Sequence, residues 1–302
     1  HMNRLHPVVN FIYFAVVLGC SMMLMHPVCL AFSFVAAFCY TIQMFGYRNA
    51  RKGLCGMAGV MVVAAILNPA FSHQGVTTIC YLPSGNALTL ESICYGIAAA
   101  FMLGATLMWF RCISEILTAD KIVYLFGKVF PVLSMILSMV LGFIPKMQRK
   151  LKEIRCTESV REKGWMQEDY LEKGWIRTKI HLVHRGIQNV SLLITWALQD
   201  SVDMADSMKG RGYGLPGRTA YTTFRFTKWD RMVLSGILVM FVYIVIGGLQ
   251  GGLEWEYYPA TGGRGMNLYS VSLYVVYGLM CFLPVGIELR ERLTYSQGRV
   301  RA

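Results

Sequence analysis

The amino-acid sequence predicts an all-α polytopic membrane protein, with about six transmembrane helices and a further domain on the cytoplasmic side of the bilayer. Of its 302 residues, 55% are hydrophobic and only 15% are charged, a balance typical of membrane-embedded chains and not of soluble domains. Six apolar runs are close to the roughly 20 residues that a spanning helix needs. The Lys and Arg clusters between these runs all fall on one side of the predicted topology, as cytoplasmic loops do.

Turn signals and basic loops separate the predicted spans. The first two spans form a helical hairpin that turns at His26-Pro27, because proline favours a break. Arg48, Arg51 and Lys52 place the following loop in the cytoplasm, whereas the loop over residues 72–89 has no Lys or Arg and is predicted to be external. The six spans are residues 8–25, 28–45, 54–71, 92–110, 232–249 and 268–286. Six crossings would leave both termini in the cytoplasm.

We predict three parts: N-terminal transmembrane helices (1–111), a cytoplasmic and membrane-surface domain (112–230), and C-terminal transmembrane helices with a cytosolic tail (231–302). Residues 146–231 alone hold 17 of the 29 Lys and Arg and 10 of the 17 Asp and Glu. The stretch 112–145 is apolar but interrupted by charges. Because both its flanks are basic, a single crossing there would contradict the topology. Helices at the membrane surface are predicted, with a re-entrant pair as the alternative.

The most distinctive motif ends a long amphipathic helix predicted over residues 180–208. Its apolar residues recur at near-helical spacing, and its Asp residues, three apart, form one polar stripe. Glycine beyond the last periodic residue is a helix stop, so Gly210-Arg211-Gly212 is predicted to present Arg211 at the helix tip. The apolar residues are Ile187, Ile194, Leu198, Val202 and Ala205, and the stripe is Asp200, Asp203 and Asp206.

A weaker tip of the same kind comes earlier in the chain and is therefore called the first tip. Residues 146–160 are predicted to form a basic amphipathic helix, which ends in Arg161-Glu162-Lys163-Gly164. This is a degenerate version of the same arrangement, with a basic residue before a glycine at the end of a helix.

A helix that ends in a short Gly-Arg-Gly motif resembles a coupling helix of the T component of energy-coupling factor (ECF) transporters. In that family two such helices dock onto a pair of cytosolic ATPases. The stretches 68–75 and 88–92 also resemble the family, so the resemblance extends over about residues 68–231.

The resemblance implies a function and a set of contact residues. The T component is the transmembrane scaffold of an ABC importer in the cytoplasmic membrane of bacteria and archaea. It couples ATP hydrolysis by two partner ATPases to movement of a membrane-embedded S component that binds a vitamin or a metal ion. ATP is bound by the ATPases, so no cofactor is implied for this chain. The implied contact residues are Gly210, Arg211 and Gly212 at one tip and Arg161, Lys163 and Gly164 at the other, with Asp203, Asp206 and Arg218 as secondary candidates. At the first tip Lys163 takes the place of the family's arginine, and Arg161 is the alternative.

The sequence contains no motif for independent catalysis, so we predict that the chain is not an enzyme. Gly127-Lys128 is followed by Val129 and lacks the earlier glycine of a phosphate-binding loop. The nine cysteines show no metal-ligand spacing. The concentration of charge in one segment disfavours nucleic acid as a partner. An integral-membrane enzyme acting on lipid or phosphorylated substrates at the cytoplasmic face is the alternative. A stand-alone carrier is disfavoured because no internal repeat is visible.

Overall fold

The structure, a computed structural model, describes residues 5–72, 75–81, 87–127, 130–165, 175–213, 224–258, 262–263 and 267–300. Within these ranges it contains nine helices and two short antiparallel hairpins, which confirms the all-α class. The helices are α1 (Pro7–Met23), α2 (Pro27–Phe45), α3 (Tyr47–Phe71), α4 (Leu90–Ile116), α5 (Ala119–Gly127), α6 (Pro131–Trp165), α7 (Trp175–Gly210), α8 (Lys228–Leu249) and α9 (Leu268–Val300). The hairpins pair β1 (Thr78–Tyr81) with β2 (Ala87–Thr89), and β3 (Trp255–Glu256) with β4 (Gly262–Gly263).

Backbone contacts divide the chain into two compact units. The transmembrane unit comprises residues 1–122 and 224–302, and the middle unit comprises residues 123–223. The location of the middle unit in the cytoplasm stays a prediction.

Six of the described helices contain segments long and apolar enough to cross a membrane, which indicates a multi-pass membrane protein. Five of them overlap predicted spans. However, α3 begins at Tyr47, so that Arg48, Arg51 and Lys52 lie in its first turns and not in the predicted loop. The sixth differs from the prediction, because α6 runs unbroken through Pro145 and joins apolar residues, expected at the membrane surface, to the basic helix that follows. Conversely, α1 has 17 residues, the lower limit for a span. The six segments are Pro27–Phe45, Tyr47–Phe71, Leu90–Ile116, Val132–Thr157, Lys228–Leu249 and Leu268–Arg290.

A closely packed aromatic core holds the helices of the transmembrane unit together. Tyr13, Tyr40, Trp109 and Tyr277, from four different helices, are fully buried. The Trp109 indole N–H donates to the Ser33 hydroxyl at 3.2 Å, and the Tyr13 and Trp109 rings meet edge to face with centroids 6.4 Å apart. Because lipid tails are as apolar as these rings, helices in a bilayer associate through such packing and hydrogen bonds.

Four helices of this unit, α1, α2, α4 and α8, begin at side-chain caps. His6 and His26 precede Pro7 and Pro27, and each histidine Nδ1 accepts the backbone N–H two residues later at 3.3 Å. Proline is favourable at the first helical position because its missing N–H would have no partner there. At the start of α8, Asp230 completes a capping box and also accepts the His6 backbone N–H at 3.1 Å. The starts of α1 and α8 are therefore tied together.

The described residues of the stretches 68–75 and 88–92 meet at the junction of α3 and α4. The Asn68 amide donates to the Ser92 carbonyl at 3.1 Å, and the Ser92 hydroxyl donates to the Ser72 carbonyl at 2.8 Å. The buried Glu91 carboxylate accepts the backbone N–H and the hydroxyl of Thr77. Packing of the two helix ends thus accounts for these polar residues. Residues 73 and 74 of the first stretch, including His73, lie outside the described residues.

Candidate functional site

The end of α7 has the geometry of a complete C-terminal capping motif. Gly212 has φ +74°, a left-handed conformation that glycine adopts without steric cost. Its N–H donates to the Lys209 carbonyl at 3.0 Å, and the Tyr213 N–H donates to the Met208 carbonyl at 3.0 Å. These two bonds form a Schellman motif, which satisfies carbonyls that the end of a helix leaves free. The helix therefore stops at a fixed point, two residues beyond the predicted end.

The same motif places Arg211 at the helix tip with an exposed side chain. The two flanking glycines have different roles. Gly212 provides the left-handed turn, whereas Gly210 is helical and an added Cβ would meet no atom within 4 Å. Arg211 is thus presented beside residues of small volume, so that a partner surface can approach the guanidinium closely.

Of the three secondary candidates, the structure describes Asp203 and Asp206 but not Arg218. Asp203 and Asp206 are exposed on α7, and Asp206 lies 3.8 Å from the Lys209 ammonium, one helical turn away. Such an exposed pair contributes little stability, so both carboxylates remain accessible. Arg218 lies outside the described residues.

The first tip is described only along its backbone. Arg161, Lys163 and Gly164 lie within the last five residues of α6, which ends at Trp165. Their side chains are outside the described part of the structure, so the choice between Lys163 and Arg161 stays a prediction.

Sequence reasoning missed a contact that joins α6 to α7. The Phe143 and Trp196 rings stack with centroids 5.8 Å apart and planes 11° from parallel. One helical turn further along each helix, the Lys146 ammonium lies 2.5 Å and 2.8 Å from the two Asp200 carboxylate oxygens. The signal was the i, i+4 spacing of Trp196 and Asp200, which places both on one helix face. Asp200 therefore belongs to this contact and not to a solvated stripe.

The opposite face of α7 carries an exposed apolar stripe. Its residues recur every three or four positions and are 52–64% exposed, so they form a continuous line along the helix. Among the described side chains of α7, only Leu193 is buried. The stripe consists of Val183, Ile187, Val190, Ile194 and Leu198. Contiguous exposed apolar surface of this kind marks a protein or membrane contact.

The described residues contain no group of three or more His, Cys, Asp and Glu side chains that could hold a metal ion. No protein-family model matches the chain, and no curated protein sequence matches it. Its function therefore has to be argued from the residues and their geometry.

Proposed function

We propose that this chain is the transmembrane T component of an ECF-type ABC importer. It would couple ATP hydrolysis by two cytosolic ATPases to the movement of a membrane-embedded S component that binds a vitamin or a metal ion. The chain would lie in the cytoplasmic membrane of a bacterium or archaeon, with both termini inside, and ATP would be bound by the ATPases. The observation that carries the proposal is the tip of α7, where a capping motif holds Arg211 exposed at the end of a 36-residue helix.

Arg211 suits an interface because its guanidinium offers five donors in a rigid, planar fork that is always charged. Inserted into a groove of an ATPase, it could bond carbonyls or carboxylates there. A buried arginine anchor of this kind is commonly a hot spot worth about 2 kcal/mol or more. The exposed Asp203 and Asp206 would meet basic residues around the same groove.

The middle unit could carry movement of the tip along its helices. A 36-residue helix is about 54 Å long, and α7 is joined to α6 by the Phe143–Trp196 stack and the Lys146–Asp200 ion pair. Because these two contacts lie on successive turns of both helices, α6 and α7 would move together at that point. The tip of α6, at Lys163 or Arg161, would engage the second ATPase.

The apolar stripe of α7 provides a surface for the S component. A membrane-embedded partner presents apolar side chains. If these covered the stripe from Val183 to Leu198, the apolar side chains of both surfaces would be removed from water. Movement of α7 would then be transmitted to the S component through this contact. The substrate would be selected by that partner and not by this chain.

Co-purification with the host's ATPases tests the proposal. The wild-type chain is expected to bring down two ATPase subunits, and Arg211→Glu is expected to release one of them. Loss of a 2 kcal/mol hot spot weakens binding about 30-fold. Arg48→Glu makes the same charge change at an exposed site distant in sequence from both tips and should retain both subunits. Lys163→Glu and Arg161→Glu, compared in the same way, identify the residue used at the first tip.

Two results would overturn the proposal. One is that no ATPase associates with the wild-type chain. The other is that both ATPases remain bound to the Arg211→Glu, Lys163→Glu and Arg161→Glu variants alike. Turnover of a lipid or phosphorylated substrate by the purified chain alone would favour the membrane-enzyme alternative.

A further inference from the structure

The transmembrane unit contains a long apolar cleft between α1 and α8 that the proposed coupling function does not use. Its volume is about 820 Å³, within the range of small-molecule sites. One wall is the face of α1 from Phe11 to Met23, and the other is the face of α8 from Phe241 to Leu249. The cleft ends at the turn between α1 and α2 and at the loop that follows α8.

The cleft is long enough to hold an acyl chain. From Phe11 to Met23 it follows α1 for about 18 Å at 1.5 Å per residue, slightly more than half of the roughly 30 Å hydrocarbon layer. Two glycines, Gly19 on α1 and Gly248 on α8, lie on opposite walls. An added Cβ at Gly19 or at Gly248 would meet no atom within 4 Å. The cleft therefore spans about one leaflet, with open space beside both glycines.

The loop at the end of the cleft is held in place by contacts to the α1–α2 turn. The Tyr257 hydroxyl donates to the Met25 carbonyl at 2.8 Å. The His26 and Trp255 rings meet edge to face with centroids 5.1 Å apart. Because this loop and this turn lie between membrane-spanning segments, they belong at the level of the lipid headgroups.

The chemistry of this end favours a cation. Glu254 and Glu256 are exposed residues that line this end of the cleft. Trp255 lies between them in the chain, and its aromatic ring attracts positive charge. The end of α8 at Leu249 adds the negative pole of a helix dipole. The described residues that line the cleft include no Lys or Arg, so nothing in that lining would attract an anionic headgroup.

We propose that this cleft binds a membrane phospholipid with a primary ammonium headgroup, such as phosphatidylethanolamine. One acyl chain lies between α1 and α8, beside Gly19 and Gly248, and the ammonium lies at Glu254 and Glu256. A primary ammonium donates three hydrogen bonds, which carboxylates accept. A quaternary ammonium cannot donate them, and a headgroup with only an anionic phosphate would be repelled.

The location of the acyl chain is tested by filling the cleft. The protein is reconstituted in nanodiscs containing equal parts of phosphatidylethanolamine, phosphatidylcholine and phosphatidylglycerol, and retained lipid is counted by native mass spectrometry. The wild-type chain is expected to retain one lipid, and Gly19→Leu and Gly248→Leu to retain none. Gly236→Leu is the matched control, because Gly236 on α8 also has open space for a Cβ but does not line the cleft. Equal retention by all four proteins would overturn the location.

The headgroup is tested separately. The wild-type protein should retain about ten times more phosphatidylethanolamine than either phosphatidylcholine or phosphatidylglycerol. One charge-assisted hydrogen bond is enough to give a preference of this size. The Glu254→Gln, Glu256→Gln double variant should retain a lipid without this preference. If the wild-type protein retained phosphatidylglycerol or phosphatidylcholine as well as it retains phosphatidylethanolamine, the headgroup assignment would be overturned. Both glutamates are exposed, so this comparison remains decisive even if a leucine variant fails to fold.

Discussion

The two glycines that flank Arg211 should respond oppositely to the same substitution. Gly212 has φ +74°, and a residue with a Cβ pays about 1–2 kcal/mol to adopt this left-handed conformation. Gly210 is helical and has open space for a Cβ. Alanine at position 210 should therefore stabilise the last turn of α7 by about 1 kcal/mol, whereas alanine at position 212 should destabilise it.

The structure identifies which backbone amides report this difference. The N–H groups of Gly212 and Tyr213 are held by the Lys209 and Met208 carbonyls at 3.0 Å each. A cost of 1–2 kcal/mol raises the ratio of open to closed tip by about 5–30-fold. Amide hydrogen exchange at positions 212 and 213 should accelerate by that factor in Gly212→Ala. In Gly210→Ala it should slow by up to about fivefold.

Hydrogen exchange measured by mass spectrometry on peptides covering residues 205–213 makes this comparison. Gly212→Asn is a useful third variant, since asparagine visits the left-handed region more readily than alanine, and its exchange should fall between wild type and Gly212→Ala. If Gly212→Ala exchanged like the wild type, the capping motif would not be what ends the helix. Equal acceleration by Gly210→Ala would refute the division of roles between the two glycines.

Two further predictions concern the transmembrane unit. Gly247→Ala should cost about 1–3 kcal/mol of stability, because its Cβ would lie 2.3 Å from Cδ2 of the fully buried Leu273. Gly248→Ala should not lower stability, because an added Cβ there has open space. Equal melting temperatures of the Gly247→Ala and Gly248→Ala variants would contradict close packing of α8 on α9. Burial lowers the pKa of His26 from 6.5, so below pH 6.5 the unfolded chain takes up a proton that the folded chain does not, and stability falls. His26→Asn keeps a capping side chain without this titration, and its melting temperature should decline less between pH 7.5 and 5.5.

Local patterns in the sequence were sufficient to predict five of the candidate membrane segments and, within two residues, the end of α7. Hydrophobic length fixes where a chain can cross a bilayer, and five of the six candidate segments lie where that rule places them. The stop after Gly210 follows from glycine chemistry, since only glycine adopts the left-handed conformation of Gly212 freely. Both inferences depend on neighbours in the chain.

Contacts between distant segments were beyond the sequence. Asp200 shares its spacing with Asp203 and Asp206, yet only Asp200 pairs with Lys146, because the 100° turn per residue puts it on the face of α7 that meets α6. The cleft shows the same limit. Gly19 and Gly248 are 229 positions apart, and only the packing of α1 beside α8 makes their missing side chains parts of one cavity.

Helix α6 continues across Pro145, although the predicted basic helix was expected to begin at residue 146. Pro131 begins the helix, where a missing N–H costs nothing, whereas Pro145 removes one hydrogen bond from its interior, which would ordinarily favour a break. The contacts with α7 lie on both sides of that proline. Phe143, two residues before it, stacks on Trp196, and Lys146, directly after it, pairs with Asp200. A break at Pro145 would turn one of these residues away from α7, so the pair of contacts holds the helical path across the proline.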